Sequence, residues 1–264
     1  MADITAKDVQ ALRAATGAGM MDCKRALQQT EGDFDAAVKF LREKGLADTA
    51  KRADRDNTEG AVAVATNGTR AGIVELRCET DFVAKSEDFL ALAQRLADAV
   101  AADGEGAVAA LASAVDDLKV ALKENIAVGR VASVAGPDGS TLDTYLHVQN
   151  ERGVNGVAVV LASGSQELAH DVALHIASAR PKWLTRDDVP SDVVANEREV
   201  LANLTRNEGK PEAAIEKIVE GRLGGFFRDN CLLEQGFVKE PKRSVADVVG
   251  ASAVLAYAQV EIGR

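Results

Sequence analysis

Residues 61–78 read Ala61-Val62-Ala63-Val64-Ala65-Thr66-Asn67-Gly68-Thr69-Arg70-Ala71-Gly72-Ile73-Val74-Glu75-Leu76-Arg77-Cys78, and this stretch decides the fold class. Alanine and valine alternate from Ala61 to Ala65, a period of two that suits a strand. Asn67-Gly68 follows, the dipeptide that best supplies the positive φ angles of a tight hairpin turn. On the return, Val74, Leu76 and Cys78 fall on one face and Glu75 and Arg77 on the other, as in a half-buried antiparallel pair. A connector, residues 79–85, leads to Ser86, placed to N-cap a helix whose Phe89, Leu92, Leu96 and Val100 form one apolar stripe. The unit is hairpin, connector, helix.

The same order returns in degenerate form downstream. Residues 141–150 and 154–162 read as paired strands, and residues 166–179 as a helix with Leu168, Val172 and Ile176 on one side. Two such units in tandem predict an α+β core built by duplication, with helices covering one face of antiparallel sheet. Upstream, Val9 and Leu12 recur at helical spacing behind a weak capping box of Thr5 and Asp8, and Gly17 and Gly19 stop that helix. A second helix carries Met20, Met21, Cys23 and Leu27, and Gly32 breaks it before a third in which Phe34, Val38 and Leu41 share a face. So small a unit reads equally well as a docking module or a structural cap.

Residues 46–60 have the composition of a linker or solvated helix, with Lys51, Arg52, Asp54, Arg55, Asp56 and Glu59 and hardly a large apolar side chain. Further on, Pro190-Ser191 opens a helix carrying Val193, Val194, Val200, Leu201 and Leu204, and Gly209-Lys210-Pro211 turns the chain. A second helix with Ala214, Ile215, Ile218 and Val219 zips against it until Gly224-Gly225 ends it. The apolar seam serves self-association or merely joins the two helices, and periodicity leaves both open. The predicted divisions are a three-helix module at 1–45, a linker at 46–60, a first core subdomain at 61–140, a second at 141–180 and 231–264, and an inserted antiparallel helical hairpin at 181–230.

The 264 residues are 47% hydrophobic and 27% charged, which places the chain among ordinary globular proteins. A formal net charge of -10 argues against a general affinity for nucleic-acid phosphates. The N-terminus has no apolar run of signal length, and no segment approaches the roughly 18 apolar residues of a membrane span, so a cytoplasmic protein with no membrane partner is expected. Cys23, Cys78 and Cys231 are far apart with no CxxC pair, as reduced packing residues would be. His170 and His175 are five apart, on different helix faces, which is poor geometry for a metal. No GxSxG, HExxH or GxxxxGK[ST] motif occurs, and Cys78 has no base near it in sequence. The expectation is a protein with no catalytic residue, no metal ligand and no cofactor.

Two strings are far more specific: TGAGMMDCKRAL at 16–27 and TDFVAKSEDF at 80–89. With Tyr145-Leu146-His147, Val219-Glu220-Gly221-Arg222 and Val260-Glu261-Ile262-Gly263, they make a sequence that resembles the elongation factor Ts family along essentially its whole length. The resemblance implies a guanine-nucleotide exchange factor for the GTPase elongation factor Tu, acting without covalent catalysis, with an N-terminal module of the ubiquitin-associated type. It also implies roles for single residues: Met20, Met21 and Lys24 in the docking module, His147 on the second subdomain's contact surface, and Thr80, Asp81, Phe82 and Val83 in a connector that dislodges the partner's magnesium. Phe82 would wedge beside the nucleotide, Asp81 would disturb the magnesium and its waters, and Thr80 and Val83 would set the connector's shape. The family's helical hairpin makes dimer contacts in some members, which implies a homodimer or heterotetramer through residues 181–230.

Without the resemblance the connector has a plainer reading, in which Phe82 tucks beneath its own helix and Asp81 caps a turn. Two other function classes also stay open: an interaction module that leaves nucleotide alone, and an enzyme using Cys78 or His147. The sequence departs from the family pattern at Gly153-Val154-Asn155-Gly156-Val157, where a more basic and aliphatic strand is usual. It also stops at residue 264 where longer members continue into another helical segment, whose contact would be missing.

Overall fold

The structure is a computed structural model describing residues 4–50 and 52–263. It opens with α1 (Ala6–Thr16), α2 (Met20–Gln29) and α3 (Phe34–Ala50). Thr5 and Asp8 form the capping box of α1, Gly17 ends it in the left-handed region, and Gly19 belongs to the start of α2. Leu12, Cys23, Ala26, Leu27, Ala37 and Leu41 make the small core. Phe34, expected on the inner face of α3, is instead 39% exposed, because Ala37 and Leu41 take the positions that face α1 and α2. Of the residues expected as linker or solvated helix, α3 takes those up to Ala50 and the first strand those from Glu59. Lys51 lies outside the described residues.

The core begins with β1 (Glu59–Asn67) and β2 (Arg70–Cys78), followed by α4 (Asp81–Ala84), α5 (Glu87–Asp103), a 3₁₀ turn and α6 (Ala112–Leu122). Asn67 stays in the ladder opposite Arg70, so the hairpin turn is Gly68-Thr69, with the positive φ on Gly68. Then come β3 (Ala127–Ala135), β4 (Thr141–Gln149), β5 (Arg152–Leu161) and α7 (Gln166–Ala179). The helical hairpin is α8 (Ser191–Asn207) and α9 (Glu212–Asn230), and the chain closes with β6 (Gly236–Phe237), β7 (Glu240–Ser244), α10 (Val245–Val249) and β8 (Val254–Glu261). One antiparallel sheet has the order β1-β2-β3 and another β4-β5-β8, each a hairpin plus a strand from farther along the chain.

Four layers result. The stripe of α5, Phe89, Leu92, Leu96 and Val100, covers Ala61, Ala63, Val74, Leu76 and Cys78 of the first sheet. Leu168, Val172 and Ile176 of α7 cover Val157, Val159 and Leu161 of the second. The remaining faces pack on one another: Val62, Ile73 and Val134 meet Ala158, Val160 and Val260. The expectation of a half-buried β1–β2 pair is therefore corrected, since its second face is roofed by the other sheet and Glu75 is fully buried there. Close approach also explains the unusual strand 153–157, because a Cβ on Gly156 would stand 2.8 Å from the side chains of Val62 and Val64.

The helical hairpin corrects a second expectation. Gly224 and Gly225 do not end α9, which runs on to Asn230. Two internal glycines cost about 1 kcal/mol each in helix propensity, but Leu223 and Phe227 are buried against Val189 and Cys231, and that packing carries the helix through. Arg222 explains part of the Val219–Arg222 match: it donates to Thr205 at 3.2 Å and pairs with Glu208 at 2.6 Å, tying α9 to α8.

Candidate functional site

The connector between β2 and α5 is a single helical turn, α4, standing at the end of the first sheet. Thr80 is its N-cap, its hydroxyl accepting from the Val83 N–H at 3.3 Å. Val83 and Ala84 pack into the α5 core, and the Ser86 hydroxyl, placed to cap α5, instead donates to the Val83 carbonyl at 2.8 Å. Asp81 pairs with Lys85 at 2.7 Å. Phe82 is left on the outer side of the turn, 82% exposed, so the reading in which it tucks beneath its own helix is overturned. Asp81 caps nothing: the cap is Thr80.

A residue absent from the sequence reading fixes this turn. The carboxylate of Glu124, just after α6, accepts from the Glu79 N–H at 3.0 Å, the Thr80 N–H at 3.2 Å and the Thr80 hydroxyl at 2.5 Å. Glu79 reciprocates by accepting from the Asn125 N–H at 2.6 Å. Because these partners are 44 to 46 residues apart, no local pattern could have announced them.

Electrostatics keep Asp81 charged. The hydrogen bond from Lys85 holds its carboxyl below the usual range, and the charges of Lys85 and Arg152 act in the same direction. Cys78 is the opposite case, for burial and the charge of Glu124 push its thiol up to about 12, which removes it as a nucleophile at neutral pH. Burial likewise raises Cys231 to about 11. Both thiols are expected to stay unmodified by iodoacetamide at pH 8 in the folded protein and to react once it is unfolded in urea, with mass spectrometry reading the labels.

The other expected contact residues lie at two further places. Met20 and Met21, 53% and 64% exposed, open α2 with Lys24 exposed beside them, while Cys23 and Leu27 of the same helix are buried. His147 is exposed near the end of β4, with its Nδ1 3.1 Å from the Tyr145 hydroxyl, and it lines an open cleft of about 450 Å³ with Asn155 and Leu174. The turn after β4 brings this strand end toward the connector: Arg152, opposite Gln149, reaches Glu59 at 2.5 Å and the Gly60 carbonyl at 2.9 Å. Glu59 in turn pairs with Cys78, two residues before Thr80. His147 and the connector therefore share one end of the sheet stack, and the α2 residues sit on a separate module. That module rests on α6, where Arg42 donates to Ser113 at 2.6 Å and lies 3.4 Å from Asp117.

Among the described residues no cluster of His, Cys, Asp and Glu is placed to hold a metal ion, and no helix is long and apolar enough to cross a membrane. The family model described as Elongation factor TS matches residues 79–264. Elongation factor Ts of Kineococcus radiotolerans is 45% identical over 266 residues, covering 96% of both chains. Those of Saccharopolyspora erythraea and Corynebacterium diphtheriae are 45% and 41% identical, each over 100% of both chains. With similarity of this degree along the whole length, connector and N-terminal three-helix module included, the chain belongs to the elongation factor Ts family and is a translation elongation factor.

Proposed function

We propose that this chain binds elongation factor Tu in its GDP form and speeds GDP release by inserting the turn of Thr80, Asp81, Phe82 and Val83 near the partner's magnesium and nucleotide, so that GTP loads. The observation that carries this reading is the presentation of Phe82: a large apolar side chain 82% exposed, on a turn whose backbone is clamped from behind. An isolated aromatic held out in water gains nothing until a partner covers it, and rigid aromatics are the usual anchors of interfaces. Phe82 would enter an apolar gap beside the nucleotide. Asp81, ionised through Lys85, would compete for the waters and hydroxyls around the magnesium. Since Lys85 offsets part of that charge, the greater share falls to Phe82.

Met20, Met21 and Lys24 on one side and His147 on the other supply the binding energy that a single turn lacks, gripping the GTPase at separated places. Exchange then needs no covalent step and no cofactor. By linkage, a factor that weakens GDP binding is itself weakened equally by GDP. A net charge of -10 suits a protein partner in the cytoplasm better than nucleic acid or an anionic membrane. The α8–α9 hairpin exposes Val200 and Leu204 and is the surface we assign to a homodimer or heterotetramer.

The test is to mix the protein with elongation factor Tu loaded with a fluorescent GDP analogue and follow the decay of signal against excess unlabelled nucleotide. Release that accelerates with factor concentration and saturates is the expected result. Binding without acceleration would make the chain an interaction module instead.

A further inference from the structure

Phe82 can act as a wedge only if its turn keeps its shape when pushed against a partner, and the turn itself is too short to do so. It has four residues, and its local supports are the Thr80 cap, the Asp81–Lys85 ion pair, the Ser86 hydroxyl on the Val83 carbonyl and the weak Cys78 thiol bond to the Thr80 carbonyl. What stiffens it lies across the chain in Glu124-Asn125-Ile126. Ile126 is fully buried in the α5 core, which anchors this segment to the body of the protein. Glu124 grips the connector through three hydrogen bonds, two from backbone N–H groups and one from a hydroxyl. Asn125 is held by Glu79 through its N–H, and its amide donates to the carbonyls of Ala53 at 3.1 Å and Arg55 at 2.7 Å. Residues 53 and 55 lie on the path from α3, the last helix of the docking module, into β1. One buried anchor thus holds both the turn that bears Phe82 and the strap leading from the module that bears Met20 and Met21.

We infer that Glu124 is a positioning residue for nucleotide exchange, one that touches neither nucleotide nor partner but fixes the connector's backbone so that Phe82 meets the partner in a single orientation. The inference rests on the reading of the connector as the inserted element. Its physical basis is preorganisation: a wedge ordered in advance spends none of the binding energy on ordering itself and applies it to distorting the nucleotide site. A carboxylate is needed because both of its oxygens accept here, Oε1 from the Thr80 hydroxyl and Oε2 from the two N–H groups. Glutamine has the same size but keeps a single accepting oxygen, so it can receive the two N–H groups or the hydroxyl's proton but not both.

The experiment uses the full chain with elongation factor Tu loaded with fluorescent GDP, over a range of factor concentrations that separates the release rate at saturation from the half-saturating concentration. Glu124→Gln is expected to lower the saturating rate about tenfold, as loss of hydrogen bonds to a charged group does, with half-saturation shifted less than about twofold, since the docking surfaces are untouched. A role confined to folding would lower the melting temperature and the active fraction while leaving the rate per folded molecule unchanged. Thr80→Val, which removes the hydroxyl arm, is expected to slow release in the same way, and Thr80→Ser to restore it. Combined with Phe82→Ala, Glu124→Gln should add no further loss, because positioning an absent side chain is worth nothing. Full-rate Glu124→Gln beside slow Phe82→Ala, or additive losses in the double variant, overturns the inference and leaves the wedge standing. Wild-type release by Phe82→Ala itself removes the wedge reading, and this inference with it.

Discussion

Phe82→Ala protein is expected to melt at the temperature of the parent and to release GDP from elongation factor Tu roughly 30- to 100-fold more slowly. The two halves of that result come from one fact. A side chain 82% exposed contributes almost no burial to its own fold, so its removal leaves no cavity and no lost core contact. In the proposed insertion the same ring would pass from water into an apolar gap, a transfer worth about 2–3 kcal/mol for a phenylalanine. If that energy is expressed only where the nucleotide is being displaced, it appears in the release rate, at a factor of ten for roughly each 1.4 kcal/mol. Asp81→Ala is expected to do less, because Lys85 already neutralises part of the carboxylate's charge at 2.7 Å. Stopped-flow release with fluorescent GDP checks the rate, and thermal unfolding checks the fold. Unchanged release by Phe82→Ala would mean that the exposed ring does not enter the partner.

The elements of this fold that could be read from the chain are those whose cause is local. The alternation in residues 61–66 and 73–78 reflects the two faces of one hairpin, and the stripe of Phe89, Leu92, Leu96 and Val100 reflects one helix face against it. Strands β3 and β8 escaped because their partners are distant: β8 pairs with β5 across the whole helical hairpin. Gly224-Gly225 misled because propensity is a weak local term and Phe227 a strong tertiary one. The candidate site divides in the same way. Thr80, Asp81, Phe82 and Val83 are contiguous and could be matched as a string, whereas Glu124 is defined only by what it holds. Phe89 is placed in the core by the stripe of its own helix, whereas Phe82 sits on a four-residue turn too short to show a period, and its exposure is visible only in the fold.

The buried carboxylate between the sheets is the clearest case of a residue whose role the pattern inverted, and it carries the largest expected loss of stability. Alternation assigned Glu75 to the outer side of a half-buried hairpin, yet it is sealed beneath the second sheet. The ladder explains why a charge is tolerated there. Val74 pairs with Val131 but Leu76 pairs with Val128, so β3 carries an extra residue opposite Glu75, and such a bulge leaves a backbone N–H without a ladder partner. Glu75 accepts that N–H, from Arg130, at 2.9 Å, and it also accepts from Gly263 at 3.1 Å and from the Arg77 guanidinium at 3.0 Å. One carboxylate thus joins β2, β3 and the segment following β8, which is to say both sheets. A side chain on Gly129 would occupy the same space.

Glu75→Ala leaves two backbone donors unpartnered at the joint and a void beside them, and is expected to cost about 3 kcal/mol. That corresponds to a fall of roughly 6–12 °C in melting temperature for a chain of this size. The pH dependence follows from the same bonds. Burial alone raises the carboxyl's pKa, but the bonds from Arg77, Arg130 and Gly263 outweigh it and hold the group below its ordinary value. A folded-state pKa below the unfolded one gives stability that is complete above the unfolded value, about 4.3 for glutamate, and is withdrawn as pH falls through the folded one. Wild-type protein should therefore lose stability more steeply than Glu75→Ala below about pH 4, the two curves converging in acid. Urea unfolding at pH 7 and at successively lower pH measures both the gap and its closure. A variant as stable as the parent at pH 7 would show that the sheets are held by Val62, Ile73 and Val160 alone and that the bulge satisfies itself some other way.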